Sequence, residues 1–400
     1  MKTAKISQVN EKKSFSMRNL ILASLGTALC AGAALAQVST EQPSPAGDTD
    51  EASTSPVAYV YVANGDITAY SAASNGKLTE IPGSPFAGSV GPLAGNGKYL
   101  FGSTNSSTDI DTYAVESNGA LHYVASINVV APDGGNGDAG QIFVDHTGKT
   151  LYDMAYWGNQ DANNTYEEFS IDQSNGKLAY LGIAGNDDQI NGTLSFTGND
   201  LFAFSSDCYK TFPSIYGFKR SSSGKMTQLN TNSDLPSAPG DDWYCPWLAE
   251  ADPYNHLAVT MQALDPDLNS VGPNRLATYT VSSSGNLTTS STTENMPAVE
   301  VGENINAMSM SPSGKLLAVA GSGGLQVFHF NGAEPITHFT GLLTTTEVDQ
   351  IFWDNNNHLY GISYSANKLW VFTVTTTGYT RAPGSPYSVN APQGLKVQPL

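Results

Sequence analysis

The segment ITAYSAASNGKLTEI (67–81) decides the fold. It reads as an alternating strand carrying an aromatic residue, a polar turn closed by glycine, and a second short strand. The pattern returns in IDTYAVESNGALHYV (110–124), YEEFSIDQSNGKLAYL (166–181), IYGFKRSSSGKMTQL (215–229), LATYTVSSSGNLTTS (276–290), LQVFHFNGAEPITHF (325–339) and LWVFTVTTTGYTRAP (369–383). The turn glycines Gly76, Gly119, Gly176, Gly224, Gly285, Gly332 and Gly378 are spaced by 43, 57, 48, 61, 47 and 46 residues, with the sixth turn rearranged. Glycine takes positive φ in such turns without steric cost, which explains its recurrence there.

Most copies follow a second hairpin whose turn is rich in Asp, Asn and Gly, as in QIFVDHTGKTLYDM (141–154), LSFTGNDLFAF (194–204), WLAEADPYNHLAVTM (247–261), MSMSPSGKLLAVA (308–320) and QIFWDNNNHLYGIS (350–363). Each repeat therefore supplies four short antiparallel strands, and long helical periodicity is missing. Seven such units arranged around an axis predict an all-β, seven-bladed propeller over residues 57–400. The first copy, from VAYVYVA (57–63), has no preceding inner strand, whereas the chain ends on a spare one, GLKVQP (394–399). Pairing the two completes the first blade and leaves no open ring edge. IPGSPF (81–86) and APGSPY (382–387) mark equivalent exits from outer strands.

Charged residues make up 14% of the chain, below the roughly 25% of an average soluble domain, which argues against a long-helix protein. The segment 1–36 has the plan of a secretory signal: Lys2, Lys5, Lys12, Lys13 and Arg18, then the apolar run Asn19 to Leu35, then the small-x-small site Ala34-Leu35-Ala36. A retained anchor is the alternative, but the run is rich in Ala and Gly and a cleavage site follows it directly. Residues 37–56 read as a flexible linker. The first 36 residues carry five of the 18 basic residues and one of the 36 acidic ones, leaving 13 against 35, a net charge of −22. The expectation is an exported, periplasmic or secreted monomer with no membrane span in the mature chain. Such a surface repels nucleic acid and anionic lipid, leaving cations, a neutral small ligand or carbohydrate, and a cell-surface protein as partners.

The phrases YVYVANGDITAYSAASNGKLTEIPGSPF (59–86), SPSGKLLAVAGSGGLQVF (311–328) and GISYSANKLWVFTV (361–374) resemble the lactonase-like seven-bladed propellers. That group comprises 6-phosphogluconolactonases and muconate-cyclising enzymes together with the broader YVTN-repeat propellers. The resemblance implies the fold over residues 57–400 and, for its lactonases, His, Arg and Glu on the ligand face. Those residues do not carry over. The approaches to the inner strands read AGQIF (139–143), NGTLS (191–195), CPWLA (245–249), NAMSM (306–310) and DQIFW (349–353), without histidine. His146, His256 and His358 fall by turns of the opposite face, and Arg275 alone is placed to approach the ligand face. A phosphosugar needs several convergent cations.

In this topology the loops joining second to third strands, and blade to blade, share the ligand face. Asp133, Asn136 and Asp138, and Asp265, Asp267 and Asn269, offer oxygen to a hard cation such as calcium as a cofactor; Asx turns are the competing reading. Trp157, Tyr209, Trp243, Tyr244 and Trp247, beside Asp241 and Asp242, could stack on sugar rings and bond their hydroxyls, or pack between blades. Trp353 and Trp370 follow strand alternation into the core. Cys208 and Cys245 lie in adjoining loops of this face and are expected to form a disulfide. Two functions follow: a binding module with an acidic, aromatic rim, or a lactone hydrolase using Asp241, Asp242, Glu300 or Glu303 as general base.

Overall fold

A computed structural model describes residues 55–104, 108–129, 138–156, 165–184, 192–208, 214–229 and 234–400. Every regular element in them is a strand, and none is a helix that could cross a membrane. The strands form seven antiparallel blades. From inner to outer strand, blade 2 holds Leu93–Gly95, Tyr99–Ser103, Asp109–Val115 and Leu121–Asn128, and blade 3 holds Asp138–Val144, Thr150–Tyr156, Thr165–Ile171 and Leu178–Ala184. Blade 4 holds Ser195–Phe196, Phe202–Asp207, Ser214–Arg220 and Met226–Gln228, and blade 5 holds Trp243–Ala251, His256–Leu264, Ser270–Val281 and Leu287–Thr288. Blade 6 runs Ile305–Met310, Leu316–Gly321, Gly324–Asn331 and Glu334–Thr344, and blade 7 runs Gln350–Trp353, His358–Ser363, Lys368–Thr375 and Gly378–Arg381, with Tyr387–Ser388 added outside.

Blade 1 is assembled from both ends of the propeller. Ala58–Ala72 folds back on itself through Gly65 (φ 90°), so that the Val57 N–H donates to the Ala72 carbonyl at 2.8 Å. Gly394–Pro399 supplies the inner strand, in a register running from Ala58 opposite Pro399 to Ala63 opposite Gly394. The seam is tightened by the Gln398 side-chain amide, which donates to the Tyr99 carbonyl of blade 2 at 3.2 Å. The expected ring closure is therefore present.

Apolar packing is divided among seven buried clusters, one for each seam between neighbouring blades. The turn between third and outer strands of one blade docks on the second strand of the blade before it. A Cβ on Gly119 would lie 2.5 Å from the Tyr59 ring, and one on Gly176 would lie 2.5 Å from the Tyr99 ring. Both glycines also have positive φ, so conformation and close approach each require them. Side chains of the preceding blade then bond the turn carbonyls: Tyr61 to Gly119, Tyr152 to Gly224 and Thr278 to Gly332, at 3.0, 2.6 and 2.6 Å. Gly378 departs from the expectation; its φ is not positive, because it opens the outer strand of blade 7 opposite Thr375.

The opposite face is organised by carboxylates in the turns after inner strands. Asp252 and Asp354 each accept the backbone N–H of the residue four positions on, and their second oxygens hold the Nδ1 atoms of His256 and His358 at 2.8 and 2.6 Å. Asp145 instead pairs with the buried Arg220, whose Nε also donates to the Tyr152 hydroxyl at 3.0 Å. These histidines and this arginine serve the turns and seams, on the face where the sequence places them.

Candidate functional site

Inner strands line the axial channel of a propeller. Here they contribute the amides Gln141, Asn306 and Gln350, the rings Phe143, Trp247 and Phe352, one lysine, Lys396, and no arginine or histidine. The sharpest polar cluster lies where blade 7 meets the closing strand. Gln350 Oε1 accepts the Leu395 N–H at 2.7 Å, and its Nε2 donates to the Tyr364 hydroxyl at 2.6 Å. That hydroxyl donates in turn to the Gln393 carbonyl at 3.0 Å. Asp349, immediately before the inner strand, accepts the Tyr364 N–H at 2.7 Å. Burial pushes its carboxyl up to about 6, against that hydrogen bond and with help from the nearby Glu347 charge.

Lys396 sits in the closing strand with its ammonium 5.1 Å from the centre of the Phe352 ring. Burial lowers it to about 8. Glu250, towards the far end of the channel, accepts the Met310 N–H at 3.1 Å and the Ser195 hydroxyl at 3.3 Å, and burial raises it to about 7. Trp247 occupies a bulge in the blade 5 inner strand between Pro246 and Ala249 and is 41% exposed, the largest aromatic surface on any inner strand.

Blade 5 extends beyond this bulge, pairing Trp243 with Leu264, Tyr244 with Ala263 and Cys245 with Gln262. The extension moves Cys245 and Tyr244 out of the loop in which the sequence places them. Cys245 lies in a strand rather than a loop, and its disulfide to Cys208 is present with Cα atoms 5.1 Å apart. Tyr244 belongs to the core: it is 2% exposed and its hydroxyl bonds Thr293 at 3.0 Å, so it offers no ring face to a ligand. Trp243 is half-buried at the tip of the extension, after the exposed Asp241 and half-buried Asp242. Arg275 is on the third strand from the axis, and its guanidinium donates to the Met296 carbonyl at 2.8 Å. It is tied to the segment leaving blade 5 and does not approach the channel.

Asp265 is occupied by an Asx turn. It accepts the Asn269 N–H at 2.8 Å and the Asn269 side-chain amide at 3.0 Å, and these bonds lower its carboxyl. Asp267 is exposed in the same turn, and Glu300 and Glu303 are exposed before the inner strand of blade 6. Trp157, Tyr209 and Asp133 lie outside the described residues; Asp138 opens the inner strand of blade 3. Among the described residues no group of three or more His, Cys, Asp or Glu is arranged to hold a metal.

No protein-family model matches the chain, and no curated protein matches its sequence. Solved structures do match its fold, which is that of the lactonase-like seven-bladed propellers. A candidate 6-phosphogluconolactonase from Bacteroides fragilis superposes with a TM-score of 0.63 at 15% identity, over 87% of this chain and 99% of that one. The periplasmic gluconolactonase of Pseudomonas aeruginosa gives 0.60 at 12% identity, over 85% and 98%. A protein from Lactobacillus plantarum gives 0.61 at 14%, over 86% and 99%. At these identities the likeness is one of fold.

Proposed function

We propose that the protein is an exported binding module that takes a neutral, polyhydroxylated ligand of carbohydrate type at the axial mouth of its ligand face. One observation carries this reading: the inner strands present amides and aromatic rings where a phosphosugar site would need several cations. Beside the bonds that Gln350 and Asn306 already make, their amides retain a second hydrogen or lone pair for a hydroxyl group, and Trp247 supplies a stacking surface. Arg220 and Arg275 are committed to Asp145 and Met296. Export is supported by the basic, then apolar, N-terminal segment, by the disulfide, and by the periplasmic location in the name of the P. aeruginosa neighbour. Calorimetric titration of residues 37–400 with neutral oligosaccharides tests the reading. Binding that is lost in Trp247→Ala supports it; a panel without binders, or binding indifferent to that change, refutes it.

Lactone hydrolysis is the second reading. It is favoured by Asp349, a ligand-face carboxyl raised to about 6 and so poised near the pH at which a general base works.

A further inference from the structure

Two carboxylates are buried off the axis, in the seam between blades 2 and 3. Asp153 stands in register between Ile142 and Glu167, and their shared face, with Leu151 and Phe169, packs on Phe101 and Ile110 of blade 2. Across the seam Ser103 stands opposite Ile110 and two residues after Phe101, so its side chain turns to the same side. The other side of that strand is taken by blade 1: a Cβ on Gly102 would lie 2.6 Å from Val90. Asp153, Glu167 and Ser103 are all fully buried. Asp153 Oδ2 and Ser103 Oγ have no hydrogen-bond partner, and no ion pair among the described residues includes Asp153.

A buried carboxylate needs a counter-charge or a full set of donors. Asp153 has one donor, the Gly140 N–H at 2.9 Å on Oδ1. The Ser103 hydroxyl, although buried in the same seam, donates to neither carboxylate. The seam therefore gathers oxygen atoms from three strands without the donors to satisfy them, which is the complement of a hard cation.

We propose that this seam is a calcium site, with Asp153 Oδ2, the Glu167 carboxylate and Ser103 Oγ as its protein ligands. Two carboxylates match one divalent ion, so the buried assembly is neutral. Calcium accepts carboxylate, hydroxyl and water oxygens in flexible geometry, whereas magnesium demands a near-ideal octahedron and gives up water reluctantly. The exposed Asp265 turn is a poorer host, because Asn269 already bonds both oxygens of that carboxylate. Bound in the seam, the ion ties the second strand of blade 2 to the second and third strands of blade 3. Without the ion, Asp153 remains an uncompensated buried carboxyl.

The test is calorimetric titration of chelator-treated residues 37–400 with calcium chloride at pH 8, with thermal melts in parallel. One ion should bind per chain, with a Kd near the ~10⁻⁴ M of extracellular calcium modules, and Tm should rise with calcium concentration. Asp153→Asn keeps an acceptor for Gly140 and should weaken binding at least about tenfold; Ser103→Ala should weaken it less, and Asp265→Asn should leave it unchanged. Melts in chelator establish that each variant is folded. Absence of stoichiometric binding, or magnesium binding as tightly as calcium, overturns the proposal. So does binding that survives Asp153→Asn or is lost in Asp265→Asn, which would assign the ion to the acidic surface loops.

Discussion

Replacing Asp153 by Asn should stabilise the protein, and increasingly so as pH rises. Asp153 is fully buried on the second strand of blade 3, in register with the equally buried Glu167 on the third. Its Oδ1 accepts the Gly140 N–H at 2.9 Å, while Oδ2 meets no hydrogen-bond partner. Burial first, and the Glu167 charge second, hold this carboxyl well above its ordinary range, with the Gly140 bond only partly opposing them. A carboxyl whose folded-state pKa exceeds its unfolded value costs nothing below the unfolded value. Its penalty grows as pH rises towards the folded value. The amide in Asp153→Asn would keep the acceptor for Gly140, carry no charge, and turn an N–H donor towards Glu167. Relief of an uncompensated buried polar group is worth about 2 kcal/mol. Unfolding entropy of about 2 cal/mol/K per residue converts this into a rise in Tm of about 3 °C for a propeller of this size. Thermal melts at pH 4, 6 and 8 read the effect directly: no difference at pH 4 and the full rise at pH 8. A variant that is less stable at pH 8, or an offset that is the same at every pH, would refute the reasoning.

The other expectations concern the ring and its crosslink. Gly176→Ala places a methyl 2.5 Å from the Tyr99 ring at positive φ and should cost about 3 kcal/mol, whereas Gly240→Ala, at positive φ in open space, should cost about 1 kcal/mol; equal losses in urea melts would show that seam contact is not what selects the glycine. Deleting residues 394–400 removes the inner strand of blade 1 with the buried Leu395 and Val397, and should lower stability by at least about 5 kcal/mol; an unchanged melt would mean that the ring does not need this strand. Cys245→Ser opens a crosslink spanning 37 residues and should cost about 4 kcal/mol by loop entropy, abolishing the reductant dependence of the wild-type Tm.

The blades were readable because each repeat must solve the same local problem. A turn that docks against the preceding blade at positive φ leaves room only for glycine, so Gly76, Gly119, Gly176, Gly224 and Gly285 recur in a recognisable phrase. Where blade 7 turns differently, Gly378 keeps the spacing without the conformation. The axial groups leave no such trace. Gln350 and Tyr364 meet the closing segment only through ring closure, and the lysine in GLKVQP stands in no recognisable motif. Tyr244 departs from the sequence reading for a different reason. Polar flanking sequence resembles a loop, but pairing continues past the Pro246–Ala249 bulge and carries Tyr244 into the core.

Whether the axial face handles phosphorylated lactones is decided most directly by the initial rate of 6-phosphogluconolactone hydrolysis with residues 37–400 at pH 7, measured against the spontaneous reaction. With no arginine or histidine on any inner strand, and a single lysine facing a dianion, the rate should match the uncatalysed one. Saturable turnover that falls in Arg275→Ala or Asp349→Asn would contradict this and establish the protein as a lactonase.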